Sequence, residues 1–412
     1  MKPLPAAAIL ALSLLAVLPA RGAELPRAAQ AALQQLLDRG RETHSDAVLV
    51  VRDGRELGHY YKNGKAPGPI ELMSVTKSVV ALGIGQLLDQ GRIKSIDQPV
   101  ADFYPEWRQG RKKDITLRML LDHTSGLQNA MRTDVEIYPA PDAIQLALAA
   151  ELSSQPGTAP AYNNKAVNLL AGIVEKASGQ PMDAFFRDGL FKAMGIHPGP
   201  WEKDKAGHPY AMSGLPLTAA DLARLGQLVA DRGRWHGRQL LSPGFVDAML
   251  APSSMEGECG LLWWRQRQWL HFDTDPASFA LLRKRGVPEA TVQKLQAGLA
   301  GAHFDGTAAM QAGIARALGP DARSIMADQL IRRGIGPYRL FKLDQGPVAA
   351  YEGNGDGGQF VVVVPKAGLV AVRQIDAGGD QEADGEGYED FTDRVLALAK
   401  ATGALGKDTA SP

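Results

Sequence analysis

The hydrophobic residues of this 412-residue chain follow two patterns, and each pattern occupies its own part of the sequence. Short runs rich in valine, bounded by glycine, proline or aspartate, are typical of strands and occur mainly near the two ends of the chain. The predicted strands are a hairpin over 47–61 with its turn at Asp53-Gly54, then 260–264, 338–343, 348–351, 360–365 and 369–375.

Apolar residues at helical spacing fill most of the remaining sequence. The predicted helices are 28–37, 70–86, 115–121 with a cap at Thr116, 166–177, 182–194, 217–232 and 391–401, and 266–336 is expected to be mostly helical. Because strands come from both ends and helices lie between them, the pattern predicts an antiparallel sheet made from the two ends, flanked by helices, with an all-helical domain inserted into it.

This order of elements also predicts the domain organisation. The predicted units are a discontinuous α/β domain over 24–100 and 337–402, a helical domain over 101–265 and a helical insertion over 266–336. The insertion is either a lid over a cleft or a peripheral addition, and the pattern leaves both open.

The chain termini are expected to lie outside the folded domains. Lys2, the apolar run 6–17 and the small residues of 19–23 predict a cleavable signal peptide over 1–23. We therefore expect a secreted protein, periplasmic if the source is a Gram-negative bacterium. The acidic segment 376–390 is expected to be a solvated loop, and 403–412 a disordered tail.

Charge and residue counts narrow the range of partners. Lys plus Arg and Asp plus Glu both number 45, so nothing indicates a nucleic acid or an anionic membrane as partner. No later segment approaches the roughly 18 apolar residues of a membrane span, so no stable membrane insertion is expected. The single cysteine, Cys259, allows no intramolecular disulfide, and the eight histidines lack ligand spacing; neither a metal nor a cofactor is predicted.

Two polar side chains stand inside the most apolar predicted helix. Ser74 and Lys77 are three residues apart, which places them on one face within hydrogen-bond reach. Desolvation and the helix N-terminus lower a lysine pKa, and an uncharged amine can take the proton of a serine hydroxyl. The pair is a candidate nucleophile and base, although Ser-x-x-Lys also occurs by chance about once in a chain of this length.

Two further segments suit the same chemistry. Tyr162-x-Asn164 lies in a loop before an apolar helix, where a phenol near a lysine can relay a proton or, alternatively, simply cap the helix and pack. Residues 353–359, Gly-Asn-Gly-Asp-Gly-Gly-Gln, join two strands. Glycines allow close backbone approach and leave N–H groups for an oxyanion, whereas a plain hairpin turn explains only one or two of them.

The order of these motifs resembles that of the penicillin-recognising serine hydrolases. Between Ser74-x-x-Lys77 and Tyr162-x-Asn164 stands Leu-Leu-Asp-His-Thr-Ser-Gly-Leu at 120–127, and Gly-Gly-Gln-Phe-x-Val-x-Val-Pro follows at 357–365. The chain most resembles class C β-lactamases, D-alanyl-D-alanine carboxypeptidases, 6-aminohexanoate-dimer hydrolases and family VIII esterases. The resemblance, which includes Gly-x-x-Trp-Trp at 260–264, covers 47–264 and 337–375.

The resemblance implies a β-lactamase/transpeptidase-like α+β fold and catalysis through an acyl-enzyme. Ser74 would be the nucleophile, and Lys77 the general base, alone or together with Tyr162, which would protonate the leaving group. The backbone N–H groups of Ser74 and Asp356 would form the oxyanion hole, and His123 is expected to be structural. The residues expected to contact the substrate are Asn164, Asn354, Gly355 and Gln359.

One departure from the family bears on the substrate. Relatives that bind penicillin-type carboxylates carry Lys-Thr-Gly or His-Thr-Gly where this chain has Gly353-Asn354-Gly355. The cation is missing, and Asp356 would repel a carboxylate. A small ester or a linear or cyclic amide is therefore expected as substrate, with β-lactamase or carboxypeptidase activity and a non-catalytic sensor as alternatives. A monomer or homodimer is expected.

Overall fold

The computed structural model describes residues 25–129, 132–254, 257–376, 388 and 390–406. The predicted signal peptide and most of the predicted acidic loop lie outside the described residues. Within the described part, no helix combines the length and the apolar character needed to cross a bilayer.

A six-stranded antiparallel sheet lies at the centre of the molecule, and strands from both ends of the chain build it, as predicted. Its fold is that of the predicted class, with helices on both faces. In spatial order the strands are β2 (Arg55–Tyr61), β1 (Ala47–Arg52), β13 (Leu369–Gln374), β12 (Gln359–Val364), β11 (Val348–Gly355) and β7 (Trp264–Arg267).

Both faces of this sheet are apolar, because successive residues of each central strand enter different hydrophobic cores. Leu369 and Ala371 of β13 pack into the smaller core, whereas Val370 and Val372 pack into the larger one. A strand covered on both faces has a continuous apolar sequence, which explains the valine-rich runs.

Two helices from opposite ends of the chain cover the smaller core, α1 (Arg27–Glu42) and α15 (Phe391–Ala401). Leu405, which follows α15, is also buried there. The disordered tail predicted over 403–412 is therefore wrong for 403–406, because this part includes the packed leucine. Residues 407–412 lie outside the described part.

The remaining helices of the main body pack around the larger core, except that α4 has no buried residue and lies on the surface. They are α2 (Val75–Asp89), α3 (Leu117–Leu121), α4 (Thr133–Glu136), α5 (Ala143–Ala149), α6 (Asn164–Ser178), α7 (Met182–Phe186), α8 (Lys192–Met194), α9 (Ala219–Ala230) and α10 (Pro243–Leu250). Two-residue strand pairs also occur here: β3 (Ile70–Glu71) with β4 (Pro216–Leu217), and β5 (Arg234–Trp235) with β6 (Arg238–Gln239).

Residues between β7 and β11 fold around a third core of their own. Helices α11 (Pro276–Lys284), α12 (Glu289–Leu299), α13 (Thr307–Leu318) and α14 (Ala322–Ile325) pack with a three-stranded sheet. The spatial order of that sheet is β10 (Phe341–Gln345), β8 (Leu270–Thr274) and β9 (His303–Asp305).

This insertion differs from the mostly helical segment predicted over 266–336, because it contains a sheet. In β8, Phe272 and Thr274 are buried while Asp273 is exposed, a two-residue period that the sequence interpretation missed. The strand predicted over 338–343 is a 3₁₀ turn from Pro337 followed by β10, which pairs with β8 and not with the central sheet.

Two other predicted boundaries were wrong. The strand predicted over 260–264 begins only at Trp264, because Gly260 N–H bonds to the Trp263 carbonyl (2.8 Å) in a turn. The helix predicted over 70–86 begins after Ser74, because Ile70-Glu71 pair with β4. The helix predicted over 391–401 is α15.

The packing of α2 gives a test of this core. A Cβ added at Gly83 would lie 2.4 Å from Cζ of Phe186, so Gly83→Ala forces the ring to move. We expect the free energy of unfolding to fall by about 1–3 kcal/mol, measured by denaturant titration. Gly244→Ala in α10 is the matched control, because a Cβ there meets nothing within 4 Å. Equal losses in both variants would contradict the close packing.

Candidate active site

Helix α2 begins at Val75, directly after Ser74, and the residue before Ser74 has an unusual backbone conformation. Met73 has φ of 48°, in the left-handed region that non-glycine residues seldom occupy. The Ser74 side chain makes no capping hydrogen bond to the helix. This turn therefore leaves the hydroxyl available to other groups, and left-handed strain of this kind tends to occur at functional sites.

Lys77 lies one helical turn further along and is almost completely buried, at 3% exposure. Its Nζ donates hydrogen bonds to Ser74 Oγ (2.8 Å) and to the Met212 carbonyl (2.7 Å). Burial lowers the pKa of Lys77 well below its ordinary value, because the charged ammonium loses its hydration. The uncharged amine form of Lys77 is therefore populated at a lower pH than that of a free lysine.

Tyr162 brings a third polar group to the same hydroxyl. Its Oη donates to Ser74 Oγ (2.8 Å), and Lys77 Nζ lies 5.0 Å from the centre of its ring. Burial raises the pKa of Tyr162 to about 12, so the phenol keeps its proton at neutral pH.

The loop that carries Tyr162 is fixed from both sides. Asn129 Nδ2 donates to the Tyr162 carbonyl (2.8 Å), and the ring of Trp264 stacks at 6.5 Å. His123 lies 4.6 Å from the Tyr162 ring, and its Nδ1 accepts a hydrogen bond from Asn163 N–H (3.2 Å). Burial lowers the pKa of His123 to about 3, so the imidazole is neutral and serves as a backbone acceptor.

Strand β11 passes directly against the start of α2. A Cβ added at Gly355 would lie 3.0 Å from Ser74 N, and one added at Gly353 would lie 2.7 Å from Ser78 Oγ. Two glycines thus permit a close approach that side chains would prevent. Position 353, where the resembled relatives carry a cation, has no room for a side chain.

The turn after β11 begins at Asp356, whose side chain is exposed, and Gly357 has φ of 72°. Arg373 of β13 holds this turn: its guanidinium donates to the carbonyls of Gly357 (3.2 Å) and Gly358 (2.7 Å). The sequence analysis missed Arg373. An arginine in the otherwise apolar Leu-Val-Ala-Val-Arg run was the available signal, because a buried guanidinium requires several acceptors.

Asn354 also reaches this site. Its Nδ2 donates to Oε1 of the buried Glu352 (2.7 Å). The other oxygen of this carboxylate, Oε2, accepts from Gln266 Nε2 (3.0 Å). Burial raises the pKa of Glu352 above its ordinary value. A small pocket of about 10 Å³, room for about one water molecule, is bordered by Ser74, Lys77, His123, Tyr162, Trp264 and Asn354.

Two other expected substrate contacts are placed differently. Gln359 is 1% exposed, its Nε2 donates to the Ile375 carbonyl and its Oε1 accepts from Ile375 N–H (3.3 Å). Its predicted substrate contact is therefore wrong, because the amide joins the ends of β12 and β13. Asn164 does not border the pocket, and its Oδ1 is enclosed without a hydrogen-bond partner among the described residues; its role stays a prediction.

Comparison with known proteins gives the family. The β-lactamase family profile matches residues 33–389, so this chain belongs to the β-lactamase family. The 6-aminohexanoate-dimer hydrolase of Paenarthrobacter ureafaciens is 30% identical over 245 residues, which are 54% of this chain and 62% of that protein. Esterase EstB of Burkholderia gladioli is 31% identical over 132 residues, 27% of this chain and 33% of that protein.

The fold is also found among solved structures. A penicillin-binding protein homologue from Caulobacter crescentus matches with a TM-score of 0.58 and 19% identity, covering 92% of this chain and 98% of its own. The chain spans less than two thirds of the length of the curated relatives described above, 62% and 33%.

The arginine behind the glycine turn supplies a prediction. Arg373→Met removes the donor to two turn carbonyls, so we expect the free energy of unfolding to fall by on the order of 3 kcal/mol. At temperatures where the variant is folded, the acylation rate of Ser74 should still fall, because the turn is no longer held. Stopped-flow acylation and thermal melting measure the two effects. The exposed Arg316→Met is the control, and full acylation by folded Arg373→Met would contradict this role.

Proposed function

We propose that this protein is a serine hydrolase that forms an acyl-enzyme on Ser74 with a small ester or amide. The observation that carries the proposal is the position of Ser74 Oγ, 2.8 Å from both Lys77 Nζ and Tyr162 Oη. A hydroxyl between a buried amine and a protonated phenol has a proton acceptor on one side and a proton donor on the other.

The opposite pKa shifts of the two neighbours assign their roles. Lys77, whose pKa is lowered, takes the Ser74 proton as Oγ bonds to the substrate carbonyl carbon. Tyr162, whose pKa is raised, gives its proton to the departing oxygen or nitrogen and regains one from Lys77. Water then attacks the acyl carbon and loses its proton to the same relay. The bond between the acyl carbon and Ser74 Oγ breaks, Oγ takes the proton back, and the carboxylic acid is released.

The oxyanion of each tetrahedral intermediate requires donors beside Ser74. The Ser74 N–H supplies one, and the proposed second is the N–H of Asp356. The support is the approach of Gly355, whose backbone lies so close that a Cβ would sit 3.0 Å from Ser74 N. Two fixed N–H groups stabilise the developing charge without reorganisation.

The proposed substrate class rests on the lack of space for a side chain at Gly353. A side chain there would meet Ser78 Oγ at 2.7 Å, so a cation cannot project from this point to bind a substrate carboxylate. The exposed Asp356 at the turn adds negative charge. Substrates lacking a carboxylate beside the scissile bond are therefore favoured, and the relatives named as an amide-dimer hydrolase and an esterase support these two classes.

We also propose export through the signal peptide predicted over 1–23. The support is the sequence alone, since these residues lie outside the described part. N-terminal sequencing of protein recovered from its host tests it: a chain that retains residues 1–23 in the mature fraction would contradict export by cleavage.

The reaction is tested with purified protein and a set of substrates. We expect a fluorophosphonate probe to label Ser74, and nitrophenyl esters or linear amide oligomers to be hydrolysed with a kcat/KM at least about tenfold above that for nitrocefin or D-alanyl-D-alanine peptides. Ser74→Ala should abolish labelling and turnover, whereas Ser95→Ala, a serine of an exposed turn, should change neither.

Each other outcome has a meaning. Preferred turnover of nitrocefin or D-alanyl-D-alanine peptides would contradict the substrate class while keeping the serine hydrolase. Labelling without turnover of any substrate would indicate a sensor, and a folded protein that neither labels nor turns over would contradict the hydrolase altogether.

The pH dependence of acylation tests the assignment of the base. Because only neutral Lys77 accepts a proton and burial lowers its pKa, the rate should rise with pH through a midpoint clearly below 10.5. Tyr162→Phe should keep this ascending limb while lowering the rate by about 10²–10⁴-fold. Tyr60→Phe in β2 is the matched control and should behave as wild type. An ascending limb that appears only with ionisation near 12 would identify Tyr162 as the base instead.

A further inference from the structure

The outer face of the small sheet in the insertion carries a compact block of histidine and aspartate. Strand β8 pairs antiparallel with β9, so that His271 lies opposite Asp305 and Asp273 lies opposite His303. Phe272, which lies between His271 and Asp273 along β8, points into the core of the insertion. Alternation along the strands therefore places all four polar residues on one face.

The side chains of this block meet at one carboxylate oxygen. Asp305 Oδ1 lies 2.7 Å from His271 Nδ1 and 3.1 Å from His303 Nε2. The other ring nitrogen of His303, Nδ1, lies 2.8 Å from Asp273 Oδ1. One potential ligand atom from each of His271, His303 and Asp305 lies within 4.8 Å of the others.

These separations suit a small divalent ion. Zinc holds imidazole nitrogen and carboxylate oxygen at about 2.0–2.2 Å in a tetrahedron, which places its ligands roughly 3.4 Å apart. The present distances of 2.7 and 3.1 Å need to widen by about 0.7 and 0.3 Å to reach that separation. The exposed side chains of His303 and Asp305 can make that adjustment by small rotations.

We propose that His271, His303 and Asp305 bind a divalent transition-metal ion of the zinc class, with Asp273 as the outer partner of His303. Two imidazoles and one carboxylate favour zinc, nickel or copper over magnesium or calcium, which prefer all-oxygen sites. The three ligands leave a fourth position open to solvent.

Asp273 is the observation that distinguishes this block from a chance cluster. A histidine that binds a metal through one nitrogen commonly donates its other N–H to a carboxylate, which fixes the ring and its tautomer. In His303, Asp273 occupies that second position while Nε2 faces the other ligands. Asp273 would thus orient the His303 ring, while Nε2 of that ring binds the ion.

The alternative is a surface ion-pair network without a metal. The side chains of His303 and Asp305 are 51% and 75% exposed, and pairs this exposed usually contribute little to stability. Such a network also holds together when a histidine carries a proton, and the neighbouring carboxylates raise the pKa of His303. Protons and metal compete for the same nitrogens, so a binding measurement separates the two explanations.

The experiment uses the full chain, purified without a polyhistidine tag and stripped with chelator. Titration with zinc by calorimetry should show one ion per chain, and cobalt should give the visible absorption of a tetrahedral site. His271→Ala, His303→Ala and Asp305→Asn should each weaken zinc binding by at least tenfold. Asp273→Asn should weaken it by about 10-fold while keeping the stoichiometry.

The matched control is His59→Ala. His59 is also an exposed strand histidine beside a carboxylate, Glu56, at 2.6 Å, but it lies in β2 and outside the cluster. Circular dichroism of the metal-free proteins establishes that each variant is folded. At a given zinc concentration, zinc should raise the melting temperature of wild type and of the control more than that of the three ligand variants. Absence of zinc binding by wild type at micromolar concentrations, or unchanged binding in the three ligand variants, would overturn the proposal.

Discussion

The chemistry proposed for this protein depends on the burial of one amine, that of Lys77, beside one hydroxyl, that of Ser74. Lys77 has lost its hydration inside the larger core, and its Nζ donates hydrogen bonds to Ser74 Oγ and to the Met212 carbonyl. Desolvation makes the charged ammonium costly, so the amine becomes a base. The apolar residues around α2 therefore stabilise the fold and also create the reactivity.

Close contact between α2 and the central sheet brings the other groups to this hydroxyl. Gly353 and Gly355 let β11 approach the helix at van der Waals distance, and the buried Arg373 of β13 holds the turn that follows β11. The proposed nucleophile, Ser74, comes from the first half of the chain, and strand β11 comes from the last. A sheet built from both ends is thus a requirement of the site.

The insertion contributes a wall as well as a core of its own. A cavity of about 910 Å³ lies between it and the edge of the central sheet, and Trp264 and Asn354 border both this cavity and the catalytic pocket. His271 and Asp305 border the same cavity. The proposed ion would therefore bind at the rim of the space through which the insertion faces the active site, and the predicted alternatives of lid and peripheral addition stay open.

The sequence by itself determined the class of fold and the sheet built from both ends of the chain. It also identified Ser74, Lys77 and Tyr162, whose side chains meet. Apolar periodicity and short motifs are local properties, so the sequence displays them directly. Only the tertiary structure decided the rest. In it, the Gln359 amide bonds to the Ile375 backbone, and Arg373 donates to the turn at Gly358. The rings of His271 and His303 also come together across two strands. These contacts join residues far apart in the chain, and their partners are set by strand register and packing, which no local pattern encodes.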